Sequence, residues 1–377
     1  MRAFPLILRA VAEPPARALC TTGGIAGSAL LVLVLLASHR SLSTAARTYV
    51  SQPGVQLWVA PLGTDNVVRS SALLAEGMPD SVAAIPGIIA ADPIVRGFVT
   101  VEPQTVEGAV GVQLTLLGIG SIPGRAGGIP PTALRLGRAP QRRGEVALDR
   151  AAAFRLHVGV GDSVLANGRS FRVVGLTSGT NLLATQFAFF DLASARKSLG
   201  LPDRVSFLAL SLVAGADVED VAMTIEERFD AVAVHTQERF LANNVREVSA
   251  GVLPILAVIA ALGMVVAAIL VLLLVQGTVE EQRRELAALR AIGVGGSMSA
   301  ALMLRAALLA LIGVGAGGAA SLGLARLLDR VLPTVLLSPL PVDLLRTAAA
   351  FVAVAVVASL LPLARLRRMD PLEAFRQ

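Results

Sequence analysis

Apolar residues along this chain gather into four uncharged runs, Ala18–Ser38, Val248–Val279, Ala306–Ala325 and Thr347–Ala364. A helix rises about 1.5 Å per residue, so about twenty residues cross a hydrocarbon core roughly 30 Å thick. The first and third runs have that length, the second exceeds it, and the fourth is just sufficient. In lipid each backbone polar group has to be paired within its own segment, so such runs predict spanning helices. We expect four transmembrane helices, at 18–38, 252–276, 304–325 and 347–364.

The pattern changes in residues 39–247. Val55 to Val59 alternates with a period of two and predicts a strand, the spacing from Val67 to Ala84 predicts a helix, and Ile94 to Val101 predicts another strand. A second such unit closes the insert. Phe207 to Leu212 reads as a strand, Val218 to Phe229 as a helix capped by Asp217, and Ala231 to Val234 as a strand. These units, at about 50–110 and 200–240, predict a lobe built from both ends of the insert. Between them, at about 110–200, short strands at Val112–Leu117, Glu145–Leu148, Ser163–Leu165 and Phe171–Val174 alternate with glycine-rich turns and predict a β-rich lobe. Pro123 to Pro131 reads as a loop.

Composition and charge then set the orientation. The chain is 54% hydrophobic and 16% charged, with a formal charge of +6. Residues 39–251 hold 19 basic and 19 acidic side chains, so the excess lies in the membrane segments, their short loops and the termini. That location excludes a nucleic-acid face. Eleven arginines (Arg2, Arg9, Arg17, Arg283, Arg284, Arg290, Arg305, Arg365, Arg367, Arg368 and Arg376) flank the runs on one side, against Arg326, Arg330 and Arg346 on the other. The positive-inside rule then makes both termini cytoplasmic and the insert extracytoplasmic. No small-x-small site closes the first run at Leu36-Ala37-Ser38-His39, so an uncleaved anchor is expected rather than a signal peptide. The expected fold is membrane α-helical plus α+β, with a large mixed α/β extracytoplasmic domain between helices 1 and 2. It divides into a cytoplasmic segment 1–17, the insert 39–247, a cytoplasmic helix 279–296, a short extracytoplasmic loop 326–346 and a cytoplasmic tail 365–377. The single cysteine, Cys20, leaves the insert without a disulfide.

Candidate chemistry is sparse. Gly159-Val160-Gly161-Asp162 lacks the G-x-x-x-x-G-K-[S/T] spacing of a phosphate loop, and the only lysine, Lys197, follows Arg196. His39, His157 and His235 stand far apart with no metal-ligand spacing. No G-x-S-x-G elbow marks a nucleophile. We expect no catalytic residues, no cofactor and no metal.

The most distinctive stretch follows the second run, Glu280-Glu281-Gln282-Arg283-Arg284-Glu285-Leu286-Ala287-Ala288-Leu289-Arg290-Ala291-Ile292-Gly293. Val279, Leu286, Leu289 and Ile292 fall on one helical face and charges cover the other, with Glu280 able to pair with Arg284. Three acids among its six charges suit docking of a soluble partner better than anionic lipid. Gly293, Gly295 and Gly296 are placed to end the helix. Gly313-x-x-x-Gly317 and Ala319-x-x-x-Gly323, in the third run, set small residues four apart, which lets helix backbones approach closely in lipid.

These residues resemble the FtsX/MacB-type permeases of ABC transporters. Glu281 to Val294 is similar to that family's cytoplasmic coupling segment, roughly E-x-R-R-E-[I/L]-x-x-L-[R/K]-A-[I/L]-G-[A/V]. Met369 to Arg376 resembles its D-P-x-E-A-[L/F]-R tail, and Arg17 to Ala26 its first helix. Gly144 to Leu148, Gly161-Asp162 and Phe171 to Gly175 resemble its extracytoplasmic core. The resemblance implies ATPase coupling through Glu281, Arg284, Glu285, Leu286, Leu289, Arg290 and Gly293, and a tail motif of Asp370, Pro371, Glu373 and Arg376. It implies a separate ABC ATPase, as a dimer, and a second permease copy, identical or related. Membrane lipid completes the expected partners, in a bacterial plasma membrane, and involvement of a membrane-fusion protein stays open. Arg305 departs from the family, where many members place an acidic residue entering helix three. Two other readings stay open: the same machine activating a cell-wall hydrolase or sensing a peptide, and an ATPase-independent receptor or scaffold.

Overall fold

The apolar run after Pro15 folds as one helix, α1 (Pro15–Val50), in a computed structural model that describes residues 15–67, 72–104, 112–182, 185–281, 295–331 and 340–368. Contacts divide the chain into a helical unit, drawn from Met1–His39, Leu253–Leu328 and Leu337–Gln377, and a mixed α/β unit built on Arg40–Val252.

The α/β unit has two lobes that share one long strand. The first comprises β1 (Leu57–Pro61), the two-residue β2 (Leu74–Ala75), α2 (Met78–Ala83) and the N-terminal half of β3 (Ile88–Pro103). The second inserts into it. It adds β4 (Leu114–Ser121), β5 (Leu134–Gly137), β6 (Glu145–Asp149), α3 (Arg150–Leu156), β7 (Ser163–Ala166), β8 (Arg169–Thr177), β9 (Asn181–Leu182), β10 (Thr185–Asp191) and α4 (Leu192–Leu199). The chain then returns to the first lobe with β11 (Arg204–Val205), β12 (Phe207–Leu212), α5 (Val218–Arg228) and β13 (Val232–Thr236).

In the first lobe the strand order is β13-β1-β12-β3, every neighbour antiparallel. Two strand–helix–strand halves interleave in this way because each crossover leaves room for one strand of the other half. Leu57, Val59, Leu208 and Leu210 of the sheet form part of a buried layer with Val82 of α2 and Ile225 of α5. Asp217 caps α5 by accepting from the Glu219 and Asp220 amides. Among the described residues, the helix expected over 67–84 is confined to α2. Gly77 and Pro79 are the reason, since a helix arriving from residue 67 would meet a ring that lacks an N–H and clashes with the preceding turn. Leu74–Ala75 pairs with β11 instead.

In the second lobe the ladders close on themselves: β3 pairs with β4, β4 with β10, β10 with β6, β6 with β8, β8 with β7, and β7 with β3. The ring leaves those strands without free edges. The β7–β8 hairpin turns on Asn167 and Gly168, both at positive φ (46° and 74°), the conformation a two-residue hairpin loop demands. Val99, Leu116, Val146, Phe171 and Phe190 are among the residues of its core.

The helical unit holds the first part of α1 with most of α6 (Gln237–Glu281), α7 (Gly295–Val331) and α8 (Pro341–Arg368). Among the described residues, four stretches are long and apolar enough to cross a membrane: Leu19–Ser41, Leu253–Gly277, Ala300–Leu328 and Pro341–Leu360. Its core joins Ile25 and Ala29 of α1, Val271 of α6, Ala306 and Val314 of α7, and Phe351 of α8. Pro254 lies inside α6, where it cannot close the backbone bond to the carbonyl four residues back.

Two expected boundaries differ. Gly295 and Gly296, read as the end of the coupling helix, open α7. The segment read as a loop at 326–346 is shortened from both sides, because α7 runs to Val331 and α8 begins at Pro341. Pro341 and Asp343 suit a helix start: the missing N–H costs nothing there and the acid complements the dipole.

Candidate functional site: the roots of α1 and α6

The chain has one tyrosine and one tryptophan, and both are buried where α1 ends in the α/β unit. Tyr49, in the last turn of α1, meets Phe187 edge-on at 5.5 Å between ring centroids and Trp58 at 6.3 Å. Its hydroxyl donates to the Gly127 carbonyl at 3.0 Å, and burial pushes the phenol pKa above its ordinary value. Three residues on, Gln52 accepts from the Gly127 amide at 2.7 Å and donates to the Gly128 carbonyl at 3.2 Å. The glycine is required at 127. Its φ is +85°, and a Cβ there would come within 2.3 Å of Ile94 Cγ1. The loop at 123–131 is thereby fastened to the end of α1.

The start of α6 reaches the same core. Phe240 stacks on Trp58 at 5.1 Å with planes 21° apart, and on His235 at 5.7 Å. Asn244 accepts from the Val67 amide at 2.9 Å and donates to the Phe240 carbonyl at 2.7 Å. Gln237, the first residue of α6, donates to the Val50 and Gln52 carbonyls at 3.3 and 2.9 Å. The last carbonyls of a helix need partners from outside it, and that of Val50 accepts from the Gln52 amide at 2.8 Å as well as from Gln237 of the neighbouring helix. Both roots are thus tied to one aromatic cluster and to each other.

Among residues singled out in the sequence, Glu281 is the last of α6. Arg284, Glu285, Leu286, Leu289, Arg290 and Gly293 lie outside the described residues, as do Asp370, Pro371, Glu373 and Arg376. The glycines of α7 divide. A Cβ at Gly313 would come within 2.7 Å of Ile25, and one at Gly317 within 2.6 Å of the Ala26 carbonyl oxygen, both on α1. Gly323 has no neighbour within 4 Å of that position. Two further glycines permit close contacts: Gly24 of α1 against Leu270 of α6, and Gly318 of α7 against Leu344 of α8.

A profile of the MacB-like periplasmic core domain matches residues 18–228, and one of the FtsX-like permease C-terminal region matches residues 257–371. The chain belongs to the FtsX/MacB permease family. Permeases of this family work with ABC ATPase partners. Among solved structures the permease is similar to the periplasmic region of MacB from Actinobacillus actinomycetemcomitans, at 12% identity and a TM-score of 0.37, covering 50% of this chain and 94% of that one. It is similar to the extracellular domain of the ABC-type transporter YknZ from Gram-positive bacteria, at 12% identity and a TM-score of 0.35, covering 48% and 98%. A domain of a putative permease from Porphyromonas gingivalis matches at 12% identity and a TM-score of 0.32, covering 48% and 88%. No curated protein matches the chain.

The roots escaped the sequence reading. Tyr49 and Gln52 fall just beyond the first apolar run, and Gln237 to Asn244 just before the second, in stretches without a motif. The one available signal was the placement of the chain's sole tyrosine and sole tryptophan nine residues apart, directly after a spanning segment.

Proposed function

We propose that the permease is the membrane subunit of an ABC transporter that passes ATP-driven movement of a separate ATPase to the α/β unit. That unit lies outside the cytoplasm and the termini inside, in a bacterial plasma membrane. The output is export, or extraction of a lipid, lipoprotein or peptide. What carries the reading is the rooting of α1 and α6 in one aromatic cluster, through Tyr49, Trp58 and Phe240. Helices fastened in this way deliver a displacement to the sheet instead of dissipating it in a loose linker. The segment from Glu281 to Gly293 receives the push, with Arg284, Glu285, Leu286, Leu289 and Arg290 docking on the ATPase. The tail residues Asp370, Pro371, Glu373 and Arg376 belong to the same cytoplasmic face. The working assembly is a permease pair, identical or related, on an ATPase dimer, joined in some systems by a membrane-fusion protein.

Two measurements test this. The double substitution Glu285→Ala, Leu289→Asp is expected to abolish co-purification with the ATPase while membrane insertion is retained, and an unchanged pull-down removes the coupling assignment. In a Cys20→Ala background, single cysteines at Ser170 and Asp203 are expected to label in intact cells, and one at Arg284 only after permeabilisation. The reverse pattern overturns the orientation.

A further inference from the structure

Away from the helix roots, the second lobe carries two adjoining clefts on either side of α4, of about 710 and 380 Å³. Arg143, Ala193 and Lys197 line both. Glycines let α4 lie close on the sheet: a Cβ at Gly120 would meet Ala195, and one at Gly97 would come within 2.9 Å of Leu199. Asp191 caps the helix by accepting from the Ser194 amide at 3.0 Å, and Gly200 ends it at φ +68°.

The loop bearing Arg143 is held as firmly. Glu145 accepts from both terminal nitrogens of Arg138, at 2.7 and 2.5 Å, and from the Gln141 and Arg142 amides at 2.9 and 3.2 Å. The Gly144 amide donates to Ser194 Oγ at 3.3 Å, joining loop to helix. Glu145 is thereby occupied, while Arg143 and Lys197 are exposed and have no acidic partner among the described residues. Arg196, in the larger cleft, is paired with Glu76 at 3.1 Å. Ile122, Pro123, Leu192 and Pro202 give the larger cleft an apolar floor, and Gln141 and Asp191, the cap of α4, line it as well. A concave, mostly apolar site of several hundred Å³ with a few fixed polar groups is what small-ligand sites have in common. The polar groups that both clefts share are cations.

We propose that the cleft binds an amphipathic anion, its alkyl chain on the apolar floor and its carboxylate or phosphate head between Arg143 and Lys197. Two unpaired cations beside an apolar floor match charge and chain together. An acidic protein segment would use the cations but leave the floor uncovered. That the ligand is the transported cargo rests on the transport reading above. Binding is assayed without an ATPase, so the two fail separately.

The test uses the full-length permease in dodecyl maltoside with a diazirine-bearing dodecanoate as photoprobe. Saturable labelling is expected within residues 192–202, displaced by dodecanoate or dodecyl phosphate. The better competitor identifies the head group. The double substitution Arg143→Gln, Lys197→Gln is expected to weaken displacement about tenfold or more, as loss of charge-assisted contacts implies. Labelling of the transmembrane helices stays unchanged and serves as the internal reference. Should the double variant fold poorly, Lys197→Gln alone carries the same expectation in lesser degree. Labelling confined to the transmembrane helices, undiminished displacement in the variants, or equal displacement by dodecyltrimethylammonium overturns the proposal. Displacement by hexaglutamate as effective as by dodecanoate also overturns it, in favour of an acidic protein segment.

Discussion

Trp58 of β1 and Phe240 of α6 stack with their ring centroids 5.1 Å apart and their planes 21° apart, both fully buried. The pair joins the first strand of the α/β unit to the helix that leaves it. Removing either ring opens a cavity in a core that includes Tyr49, Phe187 and Phe207. Trp58→Ala or Phe240→Ala is expected to lower the unfolding free energy of the α/β unit by ~3–5 kcal/mol. A double-mutant cycle is expected to give a coupling of ~0.5–1.5 kcal/mol for the stacked pair. Intrinsic fluorescence reports the Phe240 variant directly, since Trp58 is the only tryptophan. Additive effects of the two substitutions would mean that the stacking contributes nothing beyond burial.

Tyr49→Phe removes one hydroxyl and leaves the ring contacts in place. The Gly127 carbonyl loses its donor, at an expected cost of ~1–3 kcal/mol for a buried acceptor left unpaired. Proteolysis between residues 123 and 131 is expected to accelerate, because the loop loses one of its ties to α1. Equal cleavage rates would show that the ties from Gln52 and Asp92 hold the loop without the hydroxyl.

Gly317→Leu places a side chain against the Ala26 carbonyl, and Gly313→Val meets Ile25. Each is expected to destabilise the helical unit by ~1–3 kcal/mol, the usual cost of overpacking. Thermal aggregation of detergent-solubilised protein measures the loss. Gly323→Ala is the control, since nothing lies within 4 Å, and should change little. A Gly323 variant as unstable as the Gly317 variant would show that the close approach to α1 is not what makes Gly317 necessary.

The hydrogen bonds from Arg138 hold the Glu145 carboxyl at about 2, well below the usual carboxylate range, with help from the Gln141 and Arg142 amides. The folded value lies below the unfolded one. The pair therefore contributes its full stabilisation above the ordinary carboxylate range and loses it as pH falls toward 2. Stability of the wild type relative to Glu145→Gln is expected to shrink between about pH 4.5 and pH 2. A difference that is flat across that window would remove the pair from the acid response.

The four apolar runs and the two strand–helix–strand patterns were legible because their physics is local. Lipid imposes a length on a helix, and a short apolar run between turns suits a strand. Thus 207–212 is a strand in the structure as read, and Asp217 caps α5 as its position before Val218 predicts. Local pattern misled where chain neighbours were not the deciding partners. Leu74 has helical spacing, yet it pairs with Val205, 131 residues away. β10 runs parallel to β4 without an alternating signal, because a strand covered on both faces has no reason to alternate.

The sequence by itself determined that the chain spans a membrane with a water-soluble insert, and its ordered motifs pointed to the permease family. Only the tertiary structure decided that β3 serves two lobes, that the second lobe closes into a ring, and that Tyr49, Gln52, Gln237 and Phe240 root the helices in one core. The reason is separation along the chain. Tyr49 and Gly127 are 78 residues apart and Val50 and Gln237 are 187 apart. Nothing in either segment encodes its partner until folding brings them within hydrogen-bonding distance.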